Sequence, residues 1–572
     1  MSMRPIVYGY CRFVTQHLMF IGLDGYQIGL TFVLLAILCG SAFLADGRAR
    51  ATASRLCPPW LYCLALIFTL FIVRLPTFLP GSMSPDESMF LAGAMKLRHH
   101  PVFWQSLDGN TSGPLNYYPL TLLNILGLPF DYATARLLNV ICIGATIAIV
   151  YAIARLFMAD WAARLTPLPP LAAAMAFSST DFLHYSTECI STLLVAVATW
   201  LLLAEVTDGR ASWLRGVGIG VMVALIPLAK LQAAPMAAAI AVAGMASGFF
   251  SHKVFKWRRA LHIAIGLASG MTSLLFFLLV FGLVGTFQRS YIASNILYAN
   301  MLPRVSLTSF LRFCMLPDFK WYEGGVLMCL LYLACTSHYL WARRNGNRKV
   351  SSKSAFFELF ALLLLAVSLY AVYRPRREFP HYLMYLFFPI ALVAVLAFVK
   401  LASSNQALMR TAILFVLFTL AVPCLIRGKE LASGFEFETW MTTYQPNLEC
   451  AACPLVSHFA AAGDPVTVWG WAPELHVLTG TVPATRESQM YWVLIPSPLQ
   501  GYYRSRFLQD LRRDPPKVFI DAVAPGYFHY DNRDADGYET FPELRQYVTS
   551  NFHLEGDIHG VRIFARRDIA AK

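Results

Sequence analysis

Runs of apolar residues, separated by short polar stretches, recur along most of the chain. A helix needs about 20 such residues to cross a bilayer, and the runs meet that length. They begin near residues 27, 59, 133, 166, 188, 214, 233, 260, 323, 355, 381 and 411. The pattern predicts a mainly α, polytopic membrane protein with about 11–13 transmembrane helices. Twelve spans would put the N-terminus outside, while an extra weak span in residues 5–22 would put it inside. From about residue 428 the apolar runs stop. "PVTVWGW", "KVFIDAV" and "VRIFARR" then read as short strands, and "APELHVLTG" as a helix closed by Gly480. The expected organisation is a membrane domain over residues 1–427 and a small α/β extracytoplasmic domain over 428–572.

Charge orients the spans. The loops "DGRARATASRL", "SHKVFKWRR" and "ARRNGNRKVSSK" are basic and are read as cytoplasmic. The loop of about residues 80–132, the turns near 183, 230 and 374–381, and the tail then face outward. The first of these carries interfacial segments, among them "YYPLTLLNILGLPF". The whole chain of 572 residues is 57% hydrophobic and 14% charged, with a net charge of +13. That charge is accounted for by the loops and calls for no nucleic-acid partner. Most of the 12 cysteines sit in apolar runs as small hydrophobes. Cys450 and Cys453, in "ECAAC", read as a local disulfide or an idle pair.

Charged groups at membrane depth are costly and tend to be paired or functional. On the outward side they collect. In "SPDE", Ser84 can cap a helix, Pro85 can open it, and Asp86 and Glu87 suit its positive end. The same acids could accept a proton from an attacking hydroxyl. Further along that loop stand Asp108, Asn116, Tyr117 and Tyr118, whose rings could stack on sugars or anchor at the interface. Asp181, His184 and Glu188 have a spacing that one helical face could hold, as a hydrogen-bonded network rather than a metal site. Lys230 stands between two spans, where it could snorkel or hold a phosphate. Arg374, Arg376 and Arg377 run against the positive-inside bias, with His381 and Tyr382 at the mouth of the next span. Arginine matches phosphate by forked hydrogen bonds, so this turn points to an anionic head group, with bulk anionic lipid as the plainer alternative. No GxGxxG or GxxxxGK stretch was found, which points away from a nucleotide-sugar donor or an ATPase.

Several stretches together resemble the GT-C membrane glycosyltransferases, of the family 39 type, including the protein O-mannosyltransferases and the bacterial aminoarabinose transferases. They are "SPDESMFLAGAMKL", "GPLNYYPL", "DFLHYSTE", "PLAKLQAAP" and "EFPHYLMYLFFP", over about residues 59–427. In the tail, "VWGWAPELHVLTGTVPATR" and "PPKVFIDAV" look like those of bacterial members of the group. The resemblance implies a sugar donor on a polyprenyl phosphate and a lipid, glycan or protein hydroxyl as acceptor. It implies a site on the periplasmic side of a bacterial inner membrane, and inverting displacement with Asp86 as base. Glu87 would support Asp86 or bind a metal or the acceptor, and a divalent cation (Mg or Mn) is left open as a cofactor. Charge and side assign Lys230, Arg374, Arg376, Arg377, His381 and Tyr382 to the donor phosphate. Asp108, Asn116, Tyr117, Asp181, His184 and Glu188 are expected in sugar or acceptor binding or a supporting network. The sequence does not carry the longer signatures of the aminoarabinose transferases or the mannosyltransferases, so sugar and acceptor stay unspecified. A flippase of lipid-linked sugars and a lipid-linked glycan ligase are the alternatives. A flippase would more often show internal repeats, and none was found.

Overall fold

The computed structural model describes residues 22–44, 57–78, 81–175, 179–209, 211–247, 257–303, 305–314, 332–337, 340, 352–402, 450–527 and 529–570. The helices that organise the membrane half are α1 (Gly22–Leu44), α2 (Pro59–Arg74), α3 (Pro85–His99) and α4 (Tyr118–Ile125). They are followed by α5 (Tyr132–Ala154), α6 (Thr187–Asp208), α7 (Trp213–Ala229) and α8 (Ala234–Ala246), then by α9 (Trp257–Val280), α10 (Ser352–Tyr373) and α11 (Met384–Ala402). Six helical segments among the described residues are long and apolar enough to cross a membrane: Pro59–Phe78, Tyr132–Ala154, Thr187–Asp208, Trp257–Val280, Lys353–Tyr373 and Pro380–Ala402. Shorter apolar helices cover Gly29–Ser41, Trp213–Ala229 and Leu231–Ala246. The expected spans near 323 and 411, the weak span in 5–22 and the boundary near 428 lie wholly or largely outside the described residues.

The run beginning near 166 departs from expectation. It is helical over Leu168–Met175 and again over Thr180–Leu183, with no long helix across the described part. Pro167, Pro169 and Pro170 crowd its start, and each removes a backbone donor. A break leaves carbonyls that apolar surroundings cannot satisfy. Here side chains satisfy them. Arg74 donates to the carbonyls of Ala174 and Phe182, and Asn139 to that of Leu183.

Small residues set the closest helix contact. A Cβ on Gly220 of α7 would stand 2.1 Å from the Ile263 carbonyl oxygen, and one on Gly266 of α9 would stand 2.1 Å from that of Val217. The two backbones touch, as small-residue faces allow within a bilayer. Helix α4 is only eight residues long, and Leu122, Ile125 and Leu126 are exposed on and just after it. Phe90, Phe103, Trp104 and Tyr117 of the 80–132 stretch join Tyr185 and Tyr291 in one buried aromatic cluster.

The tail is a mixed α/β domain. Its elements are α12 (Cys453–Phe459), β1 (Pro465–Trp469), α13 (Glu474–Thr479), β2 (Val482–Pro483), α14 (Gln500–Arg513), β3 (Val518–Asp521), α15 (Pro542–Asn551), β4 (Phe552–Ile558) and β5 (Val561–Arg566). The strand order is β2-β1-β3-β5-β4. Strand β1 lies parallel to β2 and β3, while β5 is antiparallel to β3 and β4. Alternation places Val518 and Ile520 in one core layer and Phe519 in the other. Gly480 closes α13 in the left-handed conformation, with φ 71°. A disulfide from Cys450 to Cys453 closes onto the first residue of α12.

Candidate active site

The first turn of α3 separates its two acids. Ser84 caps the helix, its hydroxyl accepting from the Asp86 amide at 3.3 Å, and Pro85 occupies the first turn. Glu87 is buried and holds Arg136 of α5 in a two-pronged pair, Nε to Oε1 at 3.0 Å and Nη2 to Oε2 at 2.9 Å. The same guanidinium donates to the Thr77 carbonyl at 2.9 Å. This anchor fixes the entry to α3. Asp86 is half-buried and turns instead into a cavity of about 300 Å³. Among the described residues its carboxylate has no hydrogen-bond or ion-pair partner.

Six of the residues expected in chemistry or binding line this cavity: Asp86, Asp181, Lys230, Arg377, His381 and Tyr382. Lys230 ends α7 in extended backbone (φ −152°) and points its ammonium at Glu188 Oε1, 2.7 Å away, and Thr187 Oγ1, 2.8 Å away. It also lies 4.7 Å above the Tyr382 ring. His381 Nδ1 lies 3.0 Å from Asp181 Oδ1. Arg377 sits 4.0 Å over the Tyr298 ring and donates to the Tyr491 hydroxyl at 3.0 Å. No described carboxylate pairs with it, and its Nε has no hydrogen-bond partner.

The other expected residues stand off the cavity wall. Arg374 donates to Ala299 and Asn300, and Arg376 to the Leu302 carbonyl. Asn116 donates to the Ala229 carbonyl, and Tyr117 belongs to the buried aromatic cluster. Asp108 forms a buried pair with Arg506 of the tail at 2.6 Å. Asp181, His184 and Glu188 do not share a helical face. The chain leaves the helix at His184, whose backbone is extended, and α6 starts at Thr187. The three acquire separate partners: His381, the Thr180 carbonyl, and Lys230.

Sequence reasoning missed two groups of wall residues. One is the turn Asn110–Thr111–Ser112. Its Asn110 is buried in left-handed backbone (φ 55°), and among the described residues neither atom of its side-chain amide has a hydrogen-bond partner, only its backbone N–H being bonded. The turn is held by the Asp108 carboxylate, which accepts from the Asn110 amide at 2.8 Å. Gly113 lets it approach α7, since a Cβ there would stand 1.9 Å from the Leu228 carbonyl oxygen. The turn-forming "DGNTSG" was the available signal. The second group comes from the tail: Trp471, Gln489, Tyr491 and His529. Burial and the Arg377 charge hold His529 below the ordinary imidazole range, with Asp86 pulling the other way. Only the resemblance of "VWGW" had marked any of these.

Among the described residues, no three His, Cys, Asp or Glu side chains come together as a metal-binding group. Glu87, Asp181 and Glu188 are committed to Arg136, His381 and Lys230. The described acids therefore form no ready-made metal cage, and no step is routed through a metal.

The whole fold has solved counterparts. ArnT from Cupriavidus metallidurans bound to undecaprenyl phosphate superposes with a TM-score of 0.55 at 14% identity, over 88% of this chain and 97% of that one. Its apo state gives 0.55 at 12% identity with the same coverage. The Archaeoglobus fulgidus oligosaccharyltransferase in complex with Zn and sulfate gives 0.39 at 13% identity, over 80% of this chain and 68% of that one. No family profile matches the chain, and no curated protein does. The chain thus has the fold of the GT-C membrane glycosyltransferases, as the sequence resemblance implied.

Proposed function

We propose that this protein moves a sugar from a polyprenyl-phosphate carrier to a hydroxyl acceptor at the outer face of a bacterial inner membrane. One observation carries the reading. A carboxylate, Asp86, and a guanidinium, Arg377, neither with an ion-pair partner among the described residues, stand on the wall of one cavity. The fold is shared with ArnT, whose solved structure holds undecaprenyl phosphate.

The roles follow from the chemistry. The donor phosphate lies against Arg377, with Lys230 and His381 beside it and the polyprenyl tail among the spans. Asn110, Thr111 and Ser112 offer hydrogen-bonding groups to the sugar. The acceptor oxygen bonds to the anomeric carbon as the bond from that carbon to the phosphate oxygen breaks. The electron pair leaves on the phosphate, and the acceptor proton passes to Asp86. One in-line displacement inverts the anomeric centre. Arg377 stabilises the departing charge through charge-assisted hydrogen bonds. Lys230 is already neutralised by Glu188, so its contribution is smaller than the sequence alone indicated.

The test is binding of a fluorescent polyprenyl phosphate to the protein in liposomes. Arg377→Ala is expected to weaken retention tenfold or more, and Arg374→Ala to bind like wild type. Undiminished binding by Arg377→Ala contradicts the phosphate assignment.

A further inference from the structure

A second cavity, of about 460 Å³, lies between the start of α3 and the tail. Met83, Ser84, Pro85 and Trp471 line both cavities, so the turn that carries Asp86 is the partition between them. Arg377, Lys230, His381 and Tyr382 line only the first. An in-line displacement needs its nucleophile opposite the leaving phosphate. The second cavity offers that approach, because it reaches the Asp86 turn without passing the cations.

Its chemistry suits a polyhydroxylated ligand. Glu474, at the start of α13, has no side-chain hydrogen-bond or ion-pair partner among the described residues. Burial pushes its carboxyl up to about 7, and its own backbone N–H pulls back weakly. Such a group accepts hydrogen bonds from hydroxyls when ionised, and donates one as well when protonated. Trp471, Tyr132 and Tyr527 put aromatic rings on the same wall, which suits the apolar faces of sugars. Tyr132, in the first turn of α5, is the one lining residue from a described membrane-spanning helix. The rest of the described wall comes from the turn into α3 and from the tail.

Resting on the transferase reading above, we infer that this cavity is the acceptor subsite and that the acceptor is a carbohydrate entering from the aqueous side. Glu474 binds its hydroxyls, and Trp471 stacks at the passage to Asp86.

The test uses full-length protein in liposomes with its polyprenyl-phosphate sugar. The soluble probe is lipid-free oligosaccharide released from the cell envelope by mild acid. Sugar incorporation is followed against probe concentration. Release of polyprenyl phosphate by wild type without any probe reports the donor reaction separately. The expected result is incorporation by wild type, with the half-saturating probe concentration raised tenfold or more in Glu474→Gln. Leu478→Trp, which fills the cavity, should raise it similarly, and both variants are checked by thermal melting. Unshifted half-saturation in both variants overturns the assignment. So does transfer to membrane lipid alone with the soluble probe ignored. Wild type that neither releases polyprenyl phosphate nor transfers sugar overturns the transferase reading, and this inference with it.

Discussion

Asp86 and Glu87 are neighbours of like chemistry with different surroundings. Successive helical residues point about 100° apart, so one acid faces the cavity when the other faces α5. The sequence showed that both acids open a helix. It could not show which of them meets Arg136, since that partner is 49 positions away. The arginine turn teaches the same lesson. Arg374, Arg376 and Arg377 were legible as an outward cluster, yet two donate to backbone carbonyls and one lines the cavity. A test follows for the acidic pair. Glu87→Gln strips the buried Arg136 of its counter-charge, at a cost of about 3–5 kcal/mol. Thermal melting in detergent is expected to fall clearly for Glu87→Gln and to stay near wild type for Asp86→Asn. Equal melting of the two variants would show that Glu87 is no anchor.

Among the elements, the long spans were legible because length and apolarity are local properties. The segment from 166 was not, because its prolines had to be weighed against its hydropathy and its freed carbonyls are met by distant Arg74 and Asn139. In the tail, strands β1, β3 and β5 were read from their apolar runs. Strand β2 has two residues, and β4 (FHLEGDI) carries polar groups along a sheet edge, so neither had a clear pattern. Helix α13 supplies a prediction. Its His476 is buried, and burial, with the Lys96 charge of α3 adding, lowers its pKa to about 3. An unfolded histidine titrates near 6.5. As pH falls from about 6.5 towards 3, the unfolded chain takes up a proton that the folded chain refuses, so stability present above 6.5 is progressively lost. Melting temperature measured across that range should fall in the wild type. It should fall less steeply in His476→Gln, and equal slopes would count against a buried neutral His476.

For the molecule as a whole, what matters is how the tail is seated, and the sequence held no signal for it. Asp108 and Arg506 are 398 positions apart, yet they meet at 2.6 Å, with Glu487 on the same guanidinium at 2.6 Å. Lys96 adds a bond to the Ala484 carbonyl, and Arg377 one to Tyr491. Through these contacts the tail completes the cavity wall. Arg506→Met leaves two buried carboxylates without their shared cation, which is strongly destabilising. Limited proteolysis is expected to cut its tail faster than in wild type, and sugar transfer is expected to drop along with it. Unchanged proteolysis would show that the cluster does not seat the tail.

In the proposed transfer from a lipid-linked sugar, Asp86 takes the acceptor proton. The most direct measurement supplies liposomes containing the protein with a panel of polyprenyl-phosphate sugars and extracted envelope as acceptor. It follows release of polyprenyl phosphate by wild type and by Asp86→Asn, both shown to be folded and inserted. Release by wild type with one of the donors is expected, with a fall of at least a hundredfold in the variant. Equal release by both would remove Asp86 from the chemistry. Movement of the lipid between leaflets, without release by either protein, would contradict the transferase reading and point to a flippase.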